Sequence, residues 1–342
     1  MLTSFILLIL LILGISFYLR STPKLPEDAD AIIDQVLADD VVEQIVGETG
    51  FADSDGIKIW YEHIRTPSEK KGTLILVMGH STNIFGWPDY FFNDFLNGGY
   101  DVIRYDNRGI GMSDWVKDWT AHNAYTLEDM ADDCIAILDH LQLDKVHLVG
   151  VSMGGMIAQR LAISHSSRFH TLTSIMSSGF TADPSLTLIP KPFKMNLLKL
   201  FGRYGWRPNE KNAIKMGVSL IRLLRNTTRH AIDTKDIAQK MQYDMRVRKG
   251  INRSVMKQHS KAIELSGSRY DELGQITMPT LIMHGKNDPL VKIEHALKYA
   301  PMIPHAETLY LDHMGHDLPR ELNDQLTGAI LSMISKASPV VN

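Results

Sequence analysis

The stretch Gly150-Val151-Ser152-Met153-Gly154 places a serine between two glycines at the spacing G-x-S-x-G. Where a strand turns sharply into a helix, a serine hydroxyl is exposed near the positive end of the helix dipole, and a developing anion is stabilised there. The turn strains the serine backbone, and glycines two residues before and after it leave room for close backbone approach. We therefore predict that Ser152 is a nucleophile; the alternative is a tight strand–helix turn without catalytic meaning.

A serine nucleophile needs a base, and the base needs an acid that orients it. One known chain order is serine, then Asp or Glu, then histidine. Asp288 follows the apolar run 280–285, and His316 follows the run 307–312. Open α/β sheets place their sites at the carboxyl ends of strands. Each residue alone could belong to an ordinary loop, but together and in this order they predict a Ser152–His316–Asp288 triad.

Other residues near these positions keep alternatives open. Asp312 and Asp317 are alternative acids, although Asp317 directly precedes an apolar helix and is predicted to cap it. The alternative bases are His147, His284 and His313. A metal at His313-x-x-His316 would lack the helical histidine spacing of known sites, so no metal is predicted.

The tetrahedral intermediate of acyl transfer needs two backbone N–H donors. The amide of Met153, directly after the nucleophile, is the first predicted donor. The second should come from the turn after the run 73–78, in Gly79-His80-Ser81-Thr82, and we choose the amide of His80. The imidazole of His80 is predicted to form a wall of the pocket.

Apolar runs alternate with helical patterns over most of the chain and predict the elements that position these residues. The strand-like runs are 57–64, 73–78, 101–106, 146–151, 171–176, 280–285 and 307–312. Thr126 and Asp129 form a capping-box pattern that opens a helix reaching Leu141. Alternating strands and helices predict an α/β fold, with a mainly parallel central sheet and helices on both faces.

The alternation stops between residues 180 and 275, where the pattern is helical throughout. It then resumes and closes with a helix at 318–335. An all-helical stretch between two strands of one sheet predicts a helical lid over 180–275. The lid would be inserted into a core formed by residues 47–179 and 276–337.

Composition excludes several classes of protein. A net charge of −3 with 22% charged residues gives no reason to expect a nucleic-acid partner. The single cysteine, Cys134, excludes an intramolecular disulfide and a thiolate zinc site, and its helix predicts a packing role. The Gly109-x-Gly111 pair lacks the third glycine of a dinucleotide loop. We predict no cofactor.

With these motifs the chain resembles the α/β-hydrolase superfamily over roughly residues 47–337, and especially its aclacinomycin methylesterase-like branch of bacterial hydrolases. The resemblance is carried by Val77-Met78-Gly79-His80, Gly86-Trp87-Pro88, Asp106-Asn107-Arg108-Gly109, and residues 150–155, 279–285, 303–304 and 315–319. It implies that Ser152, Asp288 and His316 match the family triad. Met78 departs from the histidine of many relatives, but the oxyanion donor is a backbone amide, so the chemistry is unaffected.

Residues 2–19 contain no charge, and eighteen helical residues span roughly 27 Å, enough for a bilayer core. We predict an uncleaved transmembrane anchor at 1–20, followed by a linker and a short amphipathic helix within 21–46. Arg20 and Lys24 place the catalytic domain on the cytoplasmic side. The alternative is a cleaved signal peptide and a secreted or periplasmic enzyme.

The predicted lid is basic, with 19 Lys and Arg against 8 Asp and Glu. Phe193, Phe201 and Trp206 are interleaved with these cations, a mixture typical of a helix in a lipid interface. One hypothesis is that the lid docks on an anionic membrane and admits a lipid ester. The alternatives are a solvated face and a lid that pairs with the acidic body of the chain.

Together these features predict a membrane-anchored serine esterase of the α/β-hydrolase fold. It would cleave a small-molecule or lipid ester through an acyl-enzyme, without a cofactor, a metal or a nucleic-acid partner. The alternatives are a thioesterase, lactonase, acyltransferase or cofactor-free perhydrolase with the same triad, or a binding module that kept the fold without catalysis.

Overall fold

The computed structural model of the protein describes residues 25–187, 189–207 and 209–337. Within these residues eight strands form one sheet in the order β1-β2-β4-β3-β5-β6-β7-β8. The strands are β1 (Glu48–Ser54), β2 (Ile57–Ile64), β3 (Gly72–Val77), β4 (Tyr100–Tyr105), β5 (Val146–Val151), β6 (Phe169–Ile175), β7 (Thr280–Gly285) and β8 (Glu307–Leu311). The β1–β2 and β2–β4 pairs are antiparallel and the remaining pairs are parallel. This sheet confirms the predicted α/β architecture.

Helices cover both faces of the sheet. In chain order they are α1 (Ala29–Ala38), α2 (Asp89–Asn97), α3 (Leu127–His140), α4 (Met153–Ser164), α5 (Lys191–Tyr204), α6 (Glu210–Arg225), α7 (Thr234–Arg246), α8 (Val255–Ser266), α9 (Ile293–Tyr299) and α10 (Asn323–Ala337). The helices α3, α4 and α9 pack on one face, and α2 and α10 pack on the other. In β5, Leu148 belongs to the first core and Val149 to the second. Burial on both faces explains why this strand is apolar along its length.

The four helices α5 to α8 occupy the chain between β6 and β7, and we call this stretch the helical insertion. It lies where the sequence predicts a lid, and that role stays a prediction. Helix α1 packs against it, since Ile33 and Val36 form a small apolar core with Ile214, Val218 and Ala238. The polar contacts between α1 and the insertion are Lys211–Asp34, Lys215–Asp30, Gln242 Nε2–H to Val36 O and Arg246 Nη2–H to Leu37 O.

This packing predicts that α1 contributes to stability. We expect Ile33→Ala to lower the free energy of unfolding by about 2–5 kcal/mol, because Ile33 is fully buried and its removal leaves a cavity between α1 and the insertion. Chemical denaturation measures the loss. The exposed neighbour Gln35 serves as the control, and Gln35→Ala should stay within about 0.5 kcal/mol of wild type. Equal stability of the two variants would mean that α1 does not pack on the insertion.

Among the residues that the structure describes, none of the helices combines the length and the apolar character that a membrane span requires. The longest of them, α6, has 16 residues, whereas a spanning helix needs about 20 apolar ones. On this finding the prediction of a membrane protein with a single-pass anchor is wrong, together with the localisation derived from it. The segment that suggested the anchor, residues 1–20, lies outside the described residues.

Part of the basic charge of the insertion is neutralised by carboxylates of the same chain. Besides the two lysines paired with α1, cations of the insertion pair with carboxylates elsewhere in the chain in Arg225–Asp317, Lys240–Asp89 and Arg248–Asp106. Asp89 begins helix α2, and Asp106 and Asp317 lie on the loops after β4 and β8. Pairing with the acidic body is the alternative to membrane docking, and it accounts for these cations without a lipid surface.

Candidate active site

Ser152 lies at the junction where β5 ends at Val151 and α4 begins at Met153. Its backbone has φ 57° and ψ −119°, a region that costs a non-glycine residue of order 1–3 kcal/mol. The side chain does not cap the helix, so its hydroxyl remains available to another partner. The junction is therefore the sharp strand–helix turn that the G-x-S-x-G spacing predicts.

The two glycines of the motif are required by close backbone contacts. A Cβ on Gly154 would lie 1.9 Å from the carbonyl oxygen of Val77, and a Cβ on Gly150 would lie 2.3 Å from the carbonyl oxygen of Gly154. Such distances are far below van der Waals contact. Any side chain at these positions would therefore push β3, β5 and α4 apart and displace Ser152.

His316 lies on the loop after β8 and reaches both of its predicted partners. Its Nε2 is 3.0 Å from Ser152 Oγ, and its Nδ1 is 2.6 Å from Asp288 Oδ2. Because an ionised carboxylate only accepts hydrogen bonds, Nδ1 carries the proton and Nε2 is free to accept from the serine hydroxyl. The structure thus brings Ser152, His316 and Asp288 into one continuous line of hydrogen bonds.

Asp288 is fully buried on the loop that follows β7. Burial by itself would raise the pKa of its carboxyl, but His316 and His284 outweigh burial and hold that pKa well below its usual range. Its other oxygen, Oδ1, accepts hydrogen bonds from the amides of Leu290 and Val291, both at 2.8 Å. The carboxylate is therefore charged and fixed in orientation, as a group that orients a base must be.

The alternative acids have other partners. Asp312 is 70% exposed and pairs with Lys286. Asp317 pairs with Arg225 and does not cap the last helix, which begins only at Asn323 because Pro319 and a short 3₁₀ turn intervene. The predicted capping role of Asp317 is therefore wrong.

The alternative bases His147 and His284 are likewise engaged away from the serine, and His313 lies on the loop after β8 with φ 61°. His147 lies within β5 and hydrogen-bonds through Nδ1 to Thr171 Oγ1 at 3.0 Å. His284 Nε2 hydrogen-bonds to the carbonyl oxygen of Val291 at 2.9 Å and lies 3.5 Å from Asp288 Oδ2, the oxygen that also accepts from His316. It supports the carboxylate, which is a role that the sequence did not reveal.

The turn after β3 lies directly against the serine. A Cβ on Gly79 would be 3.1 Å from Ser152 Cβ and 3.2 Å from the carbonyl oxygen of Val151, so glycine favours this close approach of the turn. Among the described residues no protein acceptor takes a hydrogen bond from the amide of His80 or of Met153. Both predicted oxyanion donors are thus available. The imidazole of His80 is 3.0 Å from Ser260 Oγ of α8, so it links the turn to the insertion.

The end of α6 holds the loops that carry the base and the acid. The amide of His316 donates to Leu224 O at 2.8 Å, and Asn226 Nδ2–H donates to Asn287 O at 2.9 Å. A Cβ on Gly315 would lie 2.3 Å from Leu224 O, so the loop is pressed against the helix end. Sequence reasoning missed these contacts.

Two further supports come from the residues after β4. Asn107 is fully buried and donates from Nδ2 to Met78 O at 2.9 Å. Asp106 Oδ1 accepts from the amide of Ile84 at 3.0 Å, while its Oδ2 pairs with Arg248 of the insertion. The motif Asp106-Asn107-Arg108-Gly109 was visible in the sequence, but its role in holding the turn at Gly79 was not.

A family model described as the alpha/beta hydrolase fold matches residues 72–319 of the chain. The rhodomycin D methylesterase DauP of Streptomyces sp. (strain C5) is 28% identical over 288 residues, which cover 81% of this chain and 94% of that protein. Rhodomycin D methylesterase DnrP of Streptomyces peucetius is 27% identical, with 81% and 95% covered. A 2-hydroxy-6-oxononadienedioate/2-hydroxy-6-oxononatrienedioate hydrolase of Klebsiella pneumoniae is 25% identical, with 80% and 91% covered.

Two solved structures have a similar fold. The meta-cleavage product hydrolase CumD of Pseudomonas fluorescens IP01 superposes with a TM-score of 0.63 at 19% identity and covers 86% of this chain and 99% of its own. The esterase EaEST of Exiguobacterium antarcticum also has a TM-score of 0.63, at 22% identity, with 85% and 100% covered. At these identities the likeness concerns the fold alone.

Proposed function

Because the chain belongs to the α/β hydrolase fold family, we propose that it is a hydrolase of carboxylic esters that works through an acyl-enzyme. The observation that carries the proposal is the line of hydrogen bonds from Ser152 Oγ through His316 to Asp288, at 3.0 and 2.6 Å. The strained backbone of Ser152 and the low pKa of the Asp288 carboxyl support it, since both are typical of a working nucleophile and its orienting acid.

In the proposed reaction Ser152 Oγ attacks the ester carbonyl carbon while His316 Nε2 takes the hydroxyl proton. Asp288 holds the Nδ1–H of the imidazole and stabilises the imidazolium. The amides of His80 and Met153 donate to the oxyanion. Collapse of the tetrahedral intermediate breaks the carbon–oxygen bond, and His316 gives its proton to the departing alcohol. Water then attacks the acyl-enzyme by the same route and regenerates the serine.

Two relatives are named rhodomycin D methylesterases, and their names support a methyl ester as the first substrate to test. Because methanol is a small leaving alcohol, the pocket has to fit mainly the acyl group of the ester. We therefore propose the methyl ester of a larger carboxylic acid as the substrate class.

The relative named as a dienedioate hydrolase supports a second candidate, cleavage of an unsaturated oxo-dicarboxylate. A dianionic substrate would need cations that are free to bind it. Three buried arginines near the site are already paired with carboxylates, Arg108 with Asp133, Arg225 with Asp317 and Arg248 with Asp106. This pairing favours an uncharged ester.

Covalent labelling tests the proposed nucleophile. The full chain is treated with a fluorescent fluorophosphonate, and the modified peptide is identified by mass spectrometry. We expect one label, on Ser152, and none in Ser152→Ala. The control is Ser164→Ala at the far end of α4, which should be labelled as fast as wild type. A wild-type chain that stays unlabelled while folded would contradict the proposal.

A substrate panel then separates the ester from its alternatives. It contains methyl esters, a long-chain glycerol ester, thioesters, lactones and an oxo-dicarboxylate, each assayed with and without a competing alcohol as acyl acceptor. The proposal expects the largest kcat/KM among the methyl esters. Preference for the thioester, the lactone or the dicarboxylate, or transfer to the alcohol in place of hydrolysis, would replace it with that activity.

A further inference from the structure

The turn that carries the His80 amide is held by a histidine of the helical insertion. His259, on α8, is fully buried. The amide of Ser81 donates to His259 Nδ1 at 3.1 Å, and His259 Nε2 lies 2.9 Å from the carbonyl oxygen of Arg108. One imidazole thus connects the loop after β3 with the loop after β4, from a position 178 residues further along the chain than Ser81.

The two partners determine the tautomer of this imidazole. A carbonyl oxygen can only accept, so His259 Nε2 carries the proton and donates to Arg108 O. An amide can only donate, so Nδ1 is unprotonated and accepts from Ser81. Burial, with His80 at 5.7 Å between ring centroids, lowers the pKa of His259 to about 3. The ring therefore stays neutral, and both hydrogen bonds persist at ordinary pH.

The position of this turn bears directly on the oxyanion. Gly79 is pressed against Ser152, since a Cβ added to it would lie only 3.1 Å from the serine Cβ, and the next amide along the chain is that of His80. Ser81 has φ 55°, a left-handed conformation that is unfavourable for a residue with a side chain and must be held from outside. Asn107 holds one end of the turn through Met78 O, and His259 holds the other.

We propose that His259 is a positioning residue for the reaction: its Nδ1 fixes the 79–82 turn so that the His80 amide points at the developing oxyanion. This inference rests on the proposed function, because it assumes an acyl intermediate on Ser152. It makes the insertion a contributor to transition-state binding in addition to any role in covering the site. Removal of an oxyanion donor costs about 10²- to 10³-fold in kcat, and a displaced donor costs less.

Two substitutions of His259 separate the contribution of Nδ1 from that of Nε2. In His259→Asn the amide oxygen takes the position of Nδ1 and can accept from Ser81, but the contact with Arg108 O is lost. In His259→Gln the amide nitrogen takes the position of Nε2 and can donate to Arg108 O, but the acceptor for Ser81 is lost. Both variants keep a polar group of similar size, so each serves as the control for the other.

We expect His259→Gln to lower kcat for 4-nitrophenyl acetate by about 10- to 100-fold with KM changed less than about 3-fold, and His259→Asn to stay within about 5-fold of wild type. Affinity for an aryl trifluoromethyl ketone, which forms an oxyanion on Ser152, should fall in parallel with kcat. Affinity for an aryl alkyl ether of the same size, which has no carbonyl, should not change.

The outcomes are distinguishable. If both variants lose kcat equally and in proportion to a lower melting temperature, His259 only fills space and the inference fails. If wild type is not labelled by the fluorophosphonate, the proposed function fails, and this inference fails with it. Should His259→Gln not fold, ¹⁵N NMR of the wild-type imidazole decides, because a proton found on Nδ1 overturns the inference and a proton on Nε2 alone supports it.

Discussion

Replacing Ser152 by alanine is expected to lower ester turnover by about 10⁴- to 10⁶-fold, because the serine, the base and the acid act as one unit. The oxyanion donors and substrate binding remain in this variant. Its residual rate of hydrolysis should therefore exceed the uncatalysed rate in water by about 10³- to 10⁴-fold. The measurement is kcat/KM with the best ester of the panel. Ser164→Ala, at the other end of α4, is the matched control and should keep wild-type activity.

Because Ser152, His316 and Asp288 act as one unit, the losses of activity caused by substituting them should be strongly non-additive. His316→Ala should lose as much activity as Ser152→Ala, since each removal disables the other residue. The double variant should be little worse than either single variant. If the two losses multiply in the double variant, the residues do not share a mechanism, and the assignment of His316 as the base of Ser152 fails.

Asp288→Asn should keep the fold and lower kcat by about 10⁴-fold. The asparagine oxygen can still accept from the amides of Leu290 and Val291, which accounts for the intact fold. Its NH₂ group, however, faces His316 Nδ1 and favours the tautomer with the proton on Nε2, which cannot take the proton of Ser152.

The control for this substitution is Asp312→Asn, at an exposed carboxylate that pairs with Lys286. It should leave kcat unchanged. If Asp312→Asn or Asp317→Asn abolishes activity while Asp288→Asn retains most of it, Asp288 is not the acid. Circular dichroism and melting temperature must accompany each assay, because Asp317 also pairs with Arg225 and its loss disturbs the loop of His316.

Much of the sheet could be predicted from the sequence because its strands are buried on both faces. The runs at Ile57–Ile64 and Thr280–Gly285 have the bounds that the structure shows, and the capping box of Thr126 and Asp129 is present. The strand β1 (Glu48–Ser54) was missed. It pairs with β2 alone at the edge of the sheet, is largely exposed, and contains glycine and acidic residues that are unfavourable in strands.

The candidate site was predictable only as far as chain order and strand ends determine it. Ser152, Asp288 and His316 each follow a strand, so the sheet alone brings them near one another. Contacts made by the insertion depend on how four helices pack across the core, and periodicity does not encode that packing. His259 is one of 14 histidines, and nothing in its local sequence distinguishes it.

The charge of the insertion is a second feature whose structural partners could not be predicted from the sequence. Counting cations revealed a basic segment but not its partners, and the structure supplies carboxylates of the same chain for several of them. Arg225, for example, pairs with Asp317 across 92 residues. The count of cations by itself therefore does not indicate a membrane surface.

The end of α6 has a consequence for protein engineering. Insertions of this kind are attractive cassettes to exchange between relatives when a new substrate range is wanted. Here Leu224 and Asn226 hold the backbones beside the base and the acid, so an exchanged cassette would take these supports with it. A chimera should therefore join the foreign segment ahead of Leu224 and resume the native chain through that helix end, so that specificity is altered without dismantling the catalytic geometry.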